Sequence, residues 1–392
     1  MKWNRGQEQA LAKFEQWLPS DKKVPFVLRG YAGTGKSTIT DQFLDMIGRD
    51  KNIVGMGPTG KSARVLNAKT RLPTSTIHKA LYTPANDEIN VLRNKLTELY
   101  ENEDANSGEI EEIEERIDII ASEGSGLKFV LKSSSAEGKD FFLVDEASMV
   151  TEKIYNDLLS LGVPIILVGD PGQLPPVKAR AGWDVLEPDA HLDEVMRTEG
   201  ESSGINLAAE AIRLDRILED GPGFTQHPRK TLGWTEYSEA DIVLAGTHVV
   251  RKHMNRGIRK HLGRQADTLH LGDRLICLSN HPGFGLVNGM IFDVREILRD
   301  SNKITTARVL DDLGEEYILP FWKPTFQEDE VSTNKVPFSA VPATWANCIT
   351  VHKSQGSEWS NVVVTDSWRG SDYDRWLYTA ITRGSRQVDF VR

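Results

Sequence analysis

Short apolar runs recur along this chain, each closed by glycine, threonine or an acidic residue. Between them lie stretches whose apolar positions return every three or four residues. Residues 24–28 run into Gly30, residues 52–58 (NIVGMGP) into Thr59, Gly60 and Lys61, residues 141–144 into Asp145 and Glu146, and residues 164–168 into Gly169 and Asp170. The first helical stretch covers residues 3–18, with Asn4 placed to cap it and Leu11, Phe14 and Leu18 on one face. Another helix starts at Lys36 and presents Ile39, Phe43, Leu44 and Ile47, and a third spans residues 152–161. Strands alternating with helices, each strand ending in polar residues, predict a parallel sheet whose site lies along its carboxyl edge. A second set opens at Asp241 (DIVLAGT), continues through a helix with Met254 and Ile258, and resumes at Ile349.

Two segments break this rhythm. Residues 89–120 are rich in Glu, Lys, Leu and Ile at helical spacing, interrupted near 106–108, and predict a helical hairpin. A short strand at 128–132 and a flexible loop at 133–139 follow. Taken alone, the charge pattern of this segment favours a solvated helical spacer. From 272 to 342, β-type runs at 274–278, 290–298, 305–310 and 317–322 alternate with Gly and Asp turns, which predicts a small β-barrel-like insertion. The expected division is therefore 1–82 with 141–200, 83–140 as an inserted subdomain, 201–271 with 343–392, and 272–342.

A length of 392 residues calls for more than one core. Apolar content of 39% and charged content of 27% are those of a globular chain. No run approaches the roughly 18 apolar residues of a membrane span, and MKWNRGQEQ lacks a signal-peptide core, so a cytoplasmic protein is expected. Cys277 and Cys348 are far apart, without CxxC spacing, and are expected as buried thiols rather than zinc ligands. A net charge of -10 speaks against a generic nucleic-acid coat, although much of the acidity falls in residues 101–123 and leaves room for a local basic groove.

The chemistry centres on GYAGTGKST, residues 30–38. Gly30, four residues, then Gly35, Lys36 and Ser37 form a phosphate-binding loop pattern between a strand and an amphipathic helix. Glycines let backbone N–H groups turn toward phosphate oxygens, the lysine reaches the outer phosphates, and the serine hydroxyl suits Mg²⁺. This predicts an ATP or GTP site. Asp145 and Glu146 at a strand end supply a metal carboxylate and a base for water. Gln173 in GDPGQLPPV is placed to sense a terminal phosphate, and Arg197 and Arg383 are candidates for the positive charge that phosphoryl transfer needs.

In order, NRGQEQA, GYAGTGKST, GPTGKSARV, TIHKAL, VDEASMV, GDPGQLPPV, LDEVMR, TVHKSQGSEW and YTAITRG span nearly the whole chain. The series resembles the motifs of superfamily 1 helicases, in the 5′-to-3′ branch of RecD-like and phage Dda-like enzymes. The resemblance implies two tandem RecA-like parallel-sheet domains of the P-loop NTPase class, with a helical or pin insertion in the first and an SH3-like β insertion in the second. It implies an ATP-dependent DNA helicase using Mg²⁺; the alternative is a translocase or loading factor that unwinds weakly. Gln7 would recognise adenine; Gly33, Thr34, Gly35, Lys36, Ser37 and Thr38 would bind phosphates, with Ser37 and Asp145 on the metal. Glu146 would activate water, Gln173, Arg197 and Arg383 would meet the terminal phosphate, and Glu358 would approach the nucleotide from the second domain. Pro58, Thr59, Lys61 and His78 would line a single-stranded DNA groove on the first domain, and Thr350, His352 and Lys353 on the second.

The expected partners are single-stranded DNA and its junctions with duplex, together with replication or single-strand-binding proteins, and the motor is expected to work as a monomer. It would serve replication, repair or recombination. The insertion after His78 departs from a simple β-hairpin pin, being long, acidic and helical, so no wedge residue is assigned; Phe129 is the first aromatic to test. His248 stands where many relatives carry Asn. Trp345, Trp359 and Phe284 are either base-stacking residues or core.

Overall fold

The computed structural model describes residues 3–19, 24–84, 91–92, 95–96, 98–100, 107–123, 129–176, 180–196, 203–311, 314–327 and 336–392. By its internal contacts the chain forms two compact units. The first comprises Met1–Leu81, Ser133–Arg251 and Ile349–Arg392, and the second Tyr82–Lys132 and Lys252–Cys348.

Two parallel sheets lie in the first unit. One has six strands in the order Thr74–Thr76, Ile53–Gly57, Phe141–Val144, Ile165–Gly169, Phe26–Gly30, Ala190–Leu192, every pair parallel. All residues of Phe141–Val144 and of Ile165–Gly169 are buried. That explains why these strands read as continuous apolar runs: covered on both faces, they have no solvent side to alternate toward. The helix Arg5–Trp17 begins in a reciprocal cap, in which Gln7 N–H donates to Asn4 Oδ1 at 2.8 Å and Asn4 N–H to Gln7 Oε1 at 3.1 Å. Its Phe14 stacks on Phe43 of the helix Lys36–Ile47 with ring centroids 4.0 Å apart, and meets Phe26 edge-on at 5.0 Å. The helix that follows the phosphate loop is thus fixed by aromatic packing away from the loop itself.

The second sheet orders Cys348–Thr350, Ile242–Ala245, Trp359–Thr365, Gly384–Val391 and Phe224–His227. The last four strands pair in parallel. The sequence pattern had not marked Phe224–His227, Ala190–Leu192 or Thr74–Thr76, which are three or four residues long and carry polar positions. Residues 133–139, expected as a flexible loop, contain the single-turn 3₁₀ helix Ser133–Ala136, and Ser135 Oγ donates to Ala80 O at 2.7 Å. A serine hydroxyl satisfying a helix-end carbonyl is what orders it.

In the second unit, an antiparallel sheet runs Glu316–Trp322, Ile304–Asp311, Ile291–Asp300, Arg274–Cys277, Ala343–Trp345 around Leu275, Phe292, Val309 and Phe321. The same unit holds the two-stranded pair Tyr82–Pro84 and Phe129–Leu131 and the helix Ser107–Glu123. Ile110, Ile113 and Ile117 of that helix are buried together with Leu96, with Phe338 packed against them. Phe129 is placed in its strand by backbone alone, and its role as a wedge lies outside the described side chains.

Of the three aromatics considered for base stacking, Trp345 and Trp359 are core. Phe284 packs partly buried against the β core, 4.9 Å from the His281 ring. The guanidinium of Arg259 lies 3.4 Å from the centre of the Trp345 ring, whose Nε1 donates to Ala266 O at 3.2 Å. Arg259 is itself buried, held below its usual pKa by desolvation, and its Nη1 donates to the fully buried Asp273 at 2.6 Å. Arg264 bonds the same carboxylate oxygen at 2.7 Å. Asp273→Asn would leave this charge cluster without its anion. A loss of about 3–5 kcal/mol is expected, read as a lower urea midpoint; an unchanged midpoint would show that the pair is already screened. Cys277 and Cys348 are buried free thiols, as expected.

Candidate active site

The strand Phe26–Gly30 delivers the phosphate loop to the amino end of the helix Lys36–Ile47. Gly33 and Gly35 adopt φ of 74° and 85°, the left-handed region that glycine enters without steric cost. A Cβ on Gly35 would also lie 2.6 Å from Gln7 Nε2, so a side chain there would displace the Gln7 amide. Lys36 Nζ donates to Gly30 O at 2.7 Å and Tyr31 O at 2.8 Å, and lies 3.8 Å from Asp170 Oδ2. Ser37 Oγ accepts from Lys69 Nζ at 3.1 Å.

Asp145 and Glu146 leave the carboxyl end of Phe141–Val144. Asp145 is pushed up to about 6, first by burial and then by the Glu146 charge, with Lys36 and Lys69 opposing. Its Oδ1 accepts the N–H of Glu146 at 2.9 Å. Glu146 takes φ 53° and ψ 42°, left-handed for a residue with a side chain. Such a backbone costs on the order of 1–2 kcal/mol and is held only where surrounding structure over-determines it. Gln173 Nε2 donates to Glu146 Oε2 at 3.3 Å, while Gln173 Oε1 is buried with no hydrogen-bond partner among the described residues. An orphaned amide oxygen costs stability, and is explained if it serves a water or a reacting group.

From the second sheet comes Arg383, 3% exposed. Its Nε donates to Thr379 O at 3.0 Å, Nη1 to Ser357 O at 3.1 Å and Nη2 to Thr382 Oγ1 at 3.2 Å. These partners orient the guanidinium but are neutral, so its charge remains available to an anion.

One cavity of about 620 Å³ gathers Gln7, Gly33, Gly35, Lys36, Ser37, Thr38, Asp145, Glu146, Gln173, Glu358 and Arg383. Thr34 is fully buried and turns away, its Oγ1 donating to Tyr31 O at 2.8 Å. Arg197 lies outside the described residues. Gln7 Nε2 donates to Thr34 O at 3.3 Å and its Oε1 accepts from Asn4, which leaves one N–H and one lone pair. That remaining pair matches the acceptor N7 and the donor N6 of adenine. Ser37 and Asp145 line the same cavity with one hydroxyl and one carboxylate, a hard-oxygen donor set that suits Mg²⁺ completed by water and phosphate oxygens.

The nucleic-acid candidates are distributed along the strand ends. Pro58 and Thr59 follow Ile53–Gly57, and Thr59 caps the helix Gly60–Thr70 that contains Lys61. Thr59 Oγ1 also donates to Gly356 O at 2.9 Å, joining the two sheets' edges. His78 sits in the helix Ile77–Leu81 and is held below its usual pKa by burial, then by Lys153. Thr350 precedes the helix Val351–Ser354, which carries His352 and Lys353. His352 is likewise lowered by burial and meets Trp368 edge-on at 5.3 Å. Both imidazoles are held below their usual pKa, so near neutral pH they offer hydrogen bonds and ring faces rather than charge. His248 opens the helix His248–His261.

Sequence reasoning missed Asp170 and Tyr378 as members of the site. Asp170 is buried and raised by desolvation, and its Oδ2 accepts from Tyr378 Oη at 2.8 Å. Tyr378 sits inside YTAITRG, which was the available signal, but its partner lies 208 positions earlier.

A phosphate loop, an acidic pair on the next-but-one strand, and an arginine from a second parallel sheet define a P-loop NTPase motor. A family model described as an AAA domain matches residues 2–221, and one described as a UvrD-like helicase C-terminal domain matches 346–391. The chain belongs to the AAA-domain family, and its carboxy-terminal match to a UvrD-like helicase domain agrees with the resemblance to superfamily 1 helicases. It is 30% identical over 158 residues to the ATP-dependent RecD2 DNA helicase of Deinococcus radiodurans, across 39% of this chain and 16% of that protein. It is 28% identical over 209 residues to the conjugal transfer protein TraA of Rhizobium radiobacter, across 44% of this chain and 18% of that protein. The chain thus spans less than a fifth of the length of these curated relatives. Its fold is similar to that of Bacteroides Pif1 bound to single-stranded DNA, at TM-score 0.54 and 17% identity over 99% of this chain and 92% of that one. Pif1 helicase from Candida albicans matches at TM-score 0.51 and 17% identity, over 100% and 94%.

Proposed function

We propose that the chain is an ATP-driven helicase that moves 5′ to 3′ along single-stranded DNA and separates duplex ahead of it. The observation that carries this reading is the single cavity in which Lys36, Asp145, Glu146 and Gln173 from one parallel sheet meet Arg383 from another. A site completed by two sheets can couple their closure to hydrolysis. Relatives named for DNA helicase activity and for single-stranded DNA complexes support the substrate.

Gln7 reads the adenine edge with its free N–H and lone pair. Lys36 exchanges the carbonyls of Gly30 and Tyr31 for phosphate oxygens, a gain because charge-assisted bonds to phosphate are stronger than those to carbonyls. Ser37 and Asp145 would hold Mg²⁺, which would neutralise phosphate charge. Glu146 takes the proton of an attacking water that Gln173 helps orient, and Arg383, together with Arg197, stabilises charge on the terminal phosphate. Glu358 borders the nucleotide from the second sheet. Pro58, Thr59, Lys61 and His78 grip the strand on one side, and Thr350, His352 and Lys353 on the other. If the two grips alternate in strength with nucleotide state, each cycle becomes a directed step.

The decisive experiment compares unwinding of partial duplexes with a 5′ or a 3′ single-stranded tail, beside ATPase with and without single strands. Unwinding of the 5′-tailed substrate alone is expected; ATPase indifferent to DNA would overturn the reading. Replacing residues 86–138 by a short linker is expected to spare strand-stimulated ATPase and impair unwinding. Unwinding at the wild-type rate would remove the insertion from strand separation.

A further inference from the structure

The helix Tyr373–Ile381 sets two adjacent side chains on residues 170–174, the loop that carries Gln173. Tyr378 is 3% exposed. Its hydroxyl donates to Asp170 Oδ2 at 2.8 Å and accepts the N–H of Ala32, in the phosphate loop, at 2.7 Å. One phenol therefore joins the second sheet's helix to both the phosphate loop and the carboxylate that faces Lys36. Burial holds this phenol well above its usual pKa, so it stays protonated and can donate. The fit is close: a Cβ on Gly172 would lie 2.9 Å from the Tyr378 ring.

One residue on, Thr379 Oγ1 accepts the N–H of Leu174 at 2.9 Å while donating to Arg375 O at 2.7 Å. Gln355 Nε2 donates to the carbonyl of the same Leu174. Thr379 in turn offers its own carbonyl to Arg383 Nε at 3.0 Å. The guanidinium thus hangs directly from the residue that grips the loop.

We propose that Tyr378 and Thr379 are positioning residues for phosphoryl transfer, whose grip on Ala32, Asp170 and Leu174 sets the place of Arg383 against the phosphate loop. This rests on the reading of Arg383 as the contact to the terminal phosphate. Arg383 is in register only while both grips are made, so opening the cleft withdraws the arginine and stops chemistry together. Groups that act only in the transition state are sensitive to such placement, and a shift of about 1 Å can cost on the order of 10² in rate.

The test measures strand-stimulated ATPase and the affinity for N-methylanthraniloyl-ADP in Tyr378→Phe, Thr379→Val, Thr379→Ser, Arg383→Ala and the double variant Y378F/R383A. Tyr378→Phe keeps the ring and removes both hydrogen bonds. It is expected to bind the nucleotide within about threefold of wild type yet lose roughly 10- to 100-fold in kcat. The double variant is expected to be no slower than Arg383→Ala alone, because a gauge has no effect once the group it places is gone. Thr379→Ser should match wild type and Thr379→Val should be slow, which keeps the test open if Tyr378→Phe does not fold. A wild-type rate for Tyr378→Phe, or a double variant slowed by the full product of the two single effects, would overturn the proposal. A wild-type rate for Arg383→Ala would instead remove the parent reading, and the proposal with it.

Discussion

Lys36→Ala is expected to abolish measurable ATP turnover, with kcat lowered by at least about 10²–10³ on the scale of losing one preorganised cationic donor. The ammonium sits at the start of the helix Lys36–Ile47, bonded to the Gly30 and Tyr31 carbonyls and 3.8 Å from buried Asp170. It is the charge in the loop that can follow the outer phosphates. Alanine removes it and leaves Asp170 without the cation 3.8 Å away, in a place where burial already disfavours the ionised form. Nucleotide affinity should fall as well, since the lost contact is made in the ground state too. ATPase and N-methylanthraniloyl-ADP titration, with a thermal melt to confirm folding, measure this; turnover at the wild-type rate would remove the phosphate-loop assignment.

Glu146→Gln separates binding from chemistry. Glutamine has the same shape and can keep an oxygen toward Gln173 Nε2, so the 3.3 Å contact survives. It also tolerates the left-handed backbone as well as glutamate does. Removing the negative charge beside Asp145 relieves one of the causes that push that carboxyl up, which favours the ionised form that metal binding requires. Nucleotide affinity is therefore expected to hold or improve. Hydrolysis should fall by about 10²–10⁴, the usual value of a positioned general base. Single-turnover ATPase and nucleotide titration on the same preparation would show it. Retained hydrolysis would mean that another group takes the proton, with Asp170, which lines the same cavity, a carboxylate to examine.

Both of these positions are legible in the sequence for local reasons. The glycines of GYAGTGKST signal a backbone that must enter left-handed φ, and the structure has Gly33 and Gly35 there. The apolar runs ending in Asp145–Glu146 and in Gly169–Asp170 marked the carboxyl edges of buried parallel strands. Asn4 marked the start of a capped helix, and the cap is made, with Gln7 as its reciprocal partner. Arg383 could be named but not justified from composition, because what distinguishes it is a burial without a carboxylate partner among the described residues. The short strands Ala190–Leu192 and Phe224–His227 escaped notice, since three or four residues carry too little period to read.

The chain's sequence by itself determined which backbone segments bend, which faces are apolar, and which residue types stand at the strand ends, since each of these is a property of neighbours within one or two turns. Tertiary structure alone decided partners. Tyr378 reaches Asp170 across 208 positions and Ala32 across 346. Phe338 of the β insertion packs against the cluster of Leu96, Ile110, Ile113 and Ile117 in the helical one. Trp345, free on paper to stack on a base, is spent on Arg259. Periodicity tells a side chain to be buried but is silent on what it is buried against. A hydrogen bond or ring contact of a few ångströms exists only once the strand order has brought distant segments to one edge.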